Sequence, residues 1–283
     1  MALLDFFDKR NKGGDGEMSF IEHLEVLRWH IVRSVIAILI IAILSFVFSD
    51  YIIDGIIMGP TKANFIATQW FCKIGNAIGL EEALCFKLSN IEFQTTTLSG
   101  QFFASFTIAF VVGFVLAFPY VCWEFWRFIR PALSEKEAKQ SSGVIFWVSI
   151  LFFLGVLFGY FILTPFMINF YFNYSISAQV VTRPVLDDYL ESLIYTTVGV
   201  GLLFQLPLLV LFLAKAGIVT VTMLKQYWRH AFLAVLIIAA IITPTTDPFS
   251  LAIVTVPLFL LYVAGIKLAA KVDAKRAKDE EWS

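Results

Sequence analysis

Apolar residues run along this chain in unbroken blocks, without the alternation of a strand or the single stripe of a soluble helix. Crossing ~30 Å of hydrocarbon takes about 20 such residues. Four blocks qualify, at roughly 31–48, 102–123, 143–166 and 190–213, and two shorter ones follow at 231–243 and 249–266. At ~1.5 Å per residue the fifth covers only about 20 Å, a mismatch met by local bilayer thinning or snorkelling flanks. The pattern predicts an all-α integral membrane protein with six transmembrane helices, a cupped bundle whose fifth and sixth helices are short. Residues 1–283 read as a single polytopic membrane domain. About thirty mostly polar residues precede the first block, which therefore reads as a span that stays in place and not as the core of a cleavable signal.

Composition agrees with lipid exposure: 59% of residues are hydrophobic and 15% charged, against about 25% charged in soluble domains. The distribution of charge says more than its net value. Seventeen of the 21 lysines and arginines fall before Ser34, between Glu124 and Ser142, between Ala214 and His230, and after Ile266. The alternate loops hold four: Lys62, Lys73, Lys87 and Arg183. The positive-inside rule then places both termini in the cytoplasm. A re-entrant hairpin made by the last two blocks would leave the C-terminus on the same side.

The first outer loop, 49–101, is long and carries Cys72 and Cys85. Thiols facing an oxidising compartment favour a disulfide; the competing reading is two free thiols packed on an amphipathic helix. No His, Cys or carboxylate cluster has metal-ligand spacing, and there is no glycine-rich phosphate loop. No catalytic set converges within the spans, so the chain reads as a non-enzyme without cofactors.

The informative residues stand where helices leave the membrane. Ser19 and Glu22 have capping-box spacing ahead of the first span. Glu22, Glu25 and Arg28 share one face there, either as a solvated i,i+3 ion pair or as a binding surface. Ser134 and Glu137 repeat the capping pattern before the third span. Upstream of them, Trp123-Glu124-Phe125-Trp126-Arg127-Phe128-Ile129-Arg130-Pro131 reads as an interfacial belt that ends at its proline. Within the spans the strongly polar residue is Gln205, two before Pro207, which reads equally as interhelical glue or as part of a functional path. Asp247-Pro248 reads as the N-cap and first position of the last span. Gly155 and Gly159 have the spacing of a close helix approach.

From Ser19 to about Lys271 these residues together resemble the TatC family. His23-Leu24-Glu25-Val26-Leu27-Arg28 is similar to the family's opening His-Leu-x-Glu-Leu-Arg element. Pro119, Trp126, Phe128, Pro131-Ala132-Leu133 and Glu137 follow the family's order after the second span. Tyr160-Phe161 with Pro165, Gln205 with Pro207, Thr243-Pro244 with Asp247, and Pro257 continue it. The resemblance implies a receptor for signal peptides with paired arginines, in the bacterial inner membrane. It also implies TatA-type and TatB-type single-span partners, an oligomeric complex, and proton-motive-force-driven export of folded proteins. Glu137 and the first helix (Glu22, Glu25, Leu27, Arg28), with Trp126 and Phe128, would then form the peptide site at the cytoplasmic rim. A carboxylate accepts a guanidinium fork bidentately, which a lysine ammonium cannot reproduce.

Three positions depart from the family. Its first-helix glutamate falls at Val26, and Glu22, one turn earlier and only ~40° away in azimuth, is the expected replacement. Its intramembrane acid in the fourth span is Gln205, and a last-span glutamate falls at Val263. The rival reading, a small secondary transporter with a midplane substrate site, requires repeated halves and a polar centre, and the sequence displays neither.

Overall fold

The computed structural model describes residues 20–62, 64–79, 84–86, 91–132, 143–175, 177, 179, 183–215, 219–242 and 248–281. Among the described residues the named elements are all helices, with one isolated bridge, Gln94–Val185, and no named strand. Helix α1 spans Phe20–Val47, α2 Ile66–Ile78 and α3 Gly100–Ile129. Helices α4 and α5 run through Val144–Asn173 and Leu186–Ala214. Then come α6, Val221–Gln226, α7, Trp228–Ile242, and α8, Pro248–Glu281. Within them, five stretches are long and apolar enough to cross a membrane: His23–Val47, Gly100–Ile129, Val144–Asn173, Leu186–Ala214 and Leu251–Lys271. The apolar run in α7, Trp228–Ile241, is shorter.

The expected shortness therefore holds for the fifth block and not for the sixth. Helix α8 continues past its apolar part through an Ala-, Lys- and Glu-rich segment ending at Glu281, residues that favour helix once the chain leaves lipid. The other helices likewise overrun the apolar blocks, because an α-helix satisfies its own backbone whether or not its side chains are apolar.

The most extensive pairing is α1 along α3, and the C-terminal half of α5 lies against α8. Two small-residue seams set how close helices come. A Cβ on Gly113 of α3 would stand 2.9 Å from the Ala42 Cβ of α1. On α4, a Cβ on Gly155 would stand 2.7 Å from the Gly201 Cα of α5, and a Cβ on Gly159 would sit 1.9 Å from the Thr196 carbonyl oxygen. At that contact both helices open into π turns, Gly159–Leu163 and Tyr195–Gly199. The hydroxyl of Thr164 donates to the Gly159 carbonyl at 2.9 Å and lies 3.3 Å from the Thr196 hydroxyl.

At the end of the bundle away from the α1 start, the long loop is tied to the helices. Tyr160 and Tyr189 donate their hydroxyls to the Ile56 and Ile57 carbonyls. The Gln94 backbone pairs with Pro184 and Leu186 at the start of α5, 3.0 Å each way. Cys72 and Cys85 form a disulfide that closes the loop on α2.

Gly159→Ala is expected to cost about 1–3 kcal/mol through overpacking, seen as a lower melting temperature in detergent. Gly55→Ala, where a Cβ would meet nothing within 4 Å, is the control and leaves melting unchanged.

Candidate functional site

Among the described residues the side-chain ion pairs gather where α1 begins and α3 ends. Tyr120, Glu124 and Phe128 recur every four residues on α3, so they form one stripe. His23 and His30, two turns apart on α1, meet it. Phe128 stacks on the His23 ring, with centroids 4.4 Å apart, and presents an edge to His30 at 6.1 Å. One turn deeper, Glu124 is buried, with 1% of its side chain exposed.

A carboxylate at that depth needs partners to replace its lost water, and four surround it. The His30 Nδ1 lies 2.5 Å from Oε2, and the Tyr120 hydroxyl donates to Oε1 at 3.0 Å. The Arg33 and Arg127 guanidiniums stand 4.0 and 3.7 Å away. Both arginines are about half exposed, so the cluster has a dry anionic centre and a wet cationic margin. Arg127 also lies over the Trp123 ring at 4.8 Å and Arg28 over Trp29 at 5.6 Å, fixing cations at the interfacial belt.

The sequence-selected residues divide between places. Phe128 stands at the centre of the rim, and Trp126 lies two residues before it at the same end of α3; both are half-buried. Leu27 is half-buried on the α1 face near His23 and His30, whereas Glu25 and Arg28 are exposed. By helical rotation these last two lie ~140–200° from His23, away from α3. Val26, 38% exposed, flanks the α3-facing side, and Glu22 follows it in azimuth by ~40°. The helix backbone includes Glu22, but its side chain lies outside the described residues. Glu137 and Asp247 also lie outside them.

Gln205 sits in a break of α5 just before Pro207, where its Nε2 donates to the Val148 carbonyl of α4 at 3.1 Å. Its Oε1 is buried without a hydrogen-bond partner. The amide bridges two helices rather than mending its own, as interhelical glue does.

Glu124 and His30 are absent from the residues that the sequence singles out. A signal existed: a carboxylate four residues from a tyrosine and four from a phenylalanine, facing a histidine inside the first apolar helix. Periodicity within one helix is readable, but the meeting of two helices 94 residues apart is not. Among the described residues no group of three or more His, Cys, Asp or Glu could hold a metal.

Comparison with known proteins converges on one family. The family described as Sec-independent protein translocase protein (TatC) matches residues 22–257. The Sec-independent protein translocase protein TatC of Blattabacterium sp. subsp. Periplaneta americana is 40% identical, over 94% of this chain and all of that relative. Its counterpart in Deinococcus radiodurans is 32% identical, over 88% and 84% of the two chains. Among solved structures, the twin arginine translocase receptor TatC is 29% identical and superposes with a TM-score of 0.64, over 88% of this chain and 98% of that one.

Two stability measurements test this geometry. Glu124→Ala removes one side of a buried, multiply paired cluster and is expected to cost about 3–5 kcal/mol, whereas Glu124→Gln keeps the shape and melts near the wild type. Gln205→Leu loses one bond of ~1 kcal/mol and also removes an unpaired buried acceptor, so its melting temperature is expected within a few degrees of wild type.

Proposed function

We propose the following function from one premise: the chain belongs to the TatC family of Sec-independent protein translocase proteins, and so is a multi-pass membrane subunit of a Tat translocase. In this reading it is the receptor that recognises Arg-Arg signal peptides and nucleates a proton-motive-force-driven translocase for folded proteins. The end carrying His23, Glu124 and Phe128 faces the cytoplasm, both termini lie on that side, and the membrane is the bacterial inner membrane. TatA-type and TatB-type single-span subunits are its partners.

The observation that supports the reading best is where the polar chemistry lies. A small-molecule carrier needs a polar midplane, but the charged and aromatic groups gather at the rim between α1 and α3. A peptide can dock there without entering hydrocarbon. Phe128 and Trp126 offer apolar contact, and Glu137 and Glu22 are the proposed acceptors of the peptide's guanidiniums. Glu25, Leu27 and Arg28 belong to the outer wall of the same site. Gln205 carries no ionisable group, so the proposed energy coupling in this chain does not pass through a carboxylic acid there.

The test is binding of synthetic signal peptides to the detergent-purified protein. An Arg-Arg peptide is expected to bind more tightly than its Lys-Lys version. Glu137→Ala is expected to weaken Arg-Arg binding by roughly tenfold or more, from a charge-assisted bond of ~1.5–3 kcal/mol, and Glu22→Ala to act the same way. Equal binding of both peptides would contradict the receptor reading.

A further inference from the structure

Among the described residues, the α3-facing side of the rim proposed to receive two arginines is basic. Arg33, Arg127 and Arg130 are exposed there, whereas Glu25 and Arg28 lie together on the side of α1 turned from α3. Among the described residues, a dicationic peptide approaching Phe128 therefore meets cations. Like charges a few ångströms apart at a protein surface repel, so this margin opposes its own ligand unless something offsets it.

Glu124 is placed to do so. Its carboxylate lies within 4.0 Å of both the Arg33 and Arg127 guanidiniums, one helical turn below Phe128 on the same stripe. It is held there by the Tyr120 hydroxyl and the His30 imidazole. His30 in turn contacts the Phe128 ring edge. His30 and Tyr120 bond the carboxylate directly, whereas the two guanidiniums, from separate helices at 4.0 and 3.7 Å, stand beyond hydrogen-bond range and interact with it by charge. We propose that Glu124 is a specificity-determining residue of the peptide site, acting as the buried counter-ion that neutralises Arg33 and Arg127 so that a cationic signal peptide can dock beside Phe128. It does not touch the peptide. Its effect is electrostatic, and it scales with the peptide's charge.

This inference rests on the receptor reading and makes its own demands. Binding of Arg-Arg, Lys-Lys and Gln-Gln signal peptides would be compared for wild type, Glu124→Gln, Arg127→Gln and the Glu124→Gln/Arg127→Gln pair, at 0.05 and 1 M salt. Glu124→Gln is expected to weaken both dicationic peptides by roughly tenfold at low salt, a common size for coupling between sites, and to leave the Gln-Gln peptide unchanged. The deficit is expected to shrink at 1 M salt, where screening acts over ~3 Å, and to be restored to within about twofold by the added Arg127→Gln. Equal weakening of all three peptides would make Glu124 a structural clamp and overturn the counter-ion role, as would a deficit that neither salt nor Arg127→Gln relieves. Unchanged binding in Glu124→Gln would overturn it outright. A wild type that does not prefer Arg-Arg over Lys-Lys overturns the receptor reading beneath it, and the inference with it.

Discussion

An unpaired N–H, C=O or carboxylate in hydrocarbon costs several kcal/mol, and the arrangement of this protein follows from that constraint. The backbone resolves it by helix, including the π turns at Gly159–Leu163 and Tyr195–Gly199, where threonine hydroxyls add further bonds to the Gly159 and Leu193 carbonyls. Side chains resolve it by bonding back one turn, as Ser34, Thr107 and Ser149 do to His30, Phe103 and Ile145. Charges resolve it by leaving the spans, and Glu124 stays only because four groups converge on it. The same constraint clears the lipid-facing surfaces of recognition chemistry and concentrates it at the rim.

Close approach of helices then supplies the packing that the hydrophobic effect cannot supply between surfaces already in lipid. Gly113 against Ala42, and Gly155 and Gly159 against Gly201 and Thr196, bring backbones together. These contacts fix α1 against α3 and α4 against α5, so the start of α1 and the end of α3 meet at a defined place. The stacking of Phe128 between His23 and His30 depends on that relation.

Much of this was legible in the sequence, because the bilayer imposes a length and a polarity that one chain must display. The apolar blocks marked the helices, and the spacing of Gly155 and Gly159 marked a contact. The aromatic belt from Trp123 to Phe128 marked the rim. What stayed hidden depends on the meeting of distant elements. His30 stands just before the first apolar block and Glu124 within the aromatic belt, and nothing in the sequence joins them until α1 is laid along α3. The length of α8 was hidden for another reason: hydropathy reports where lipid ends, and a helix need not end there. The family match (residues 22–257) extends over both helices of the rim.

The account stands on the claim that the α1–α3 rim receives the signal peptide, and site-specific photo-crosslinking in membranes tests it most directly. A crosslinker would replace Trp126 or, at the opposite end of the bundle, Asp187, and would be challenged with a radiolabelled Arg-Arg signal peptide. The account predicts capture at Trp126, competed by unlabelled Arg-Arg peptide and poorly by Lys-Lys peptide, with none at Asp187. Capture at Asp187, or capture at Trp126 that both peptides compete equally, would contradict it.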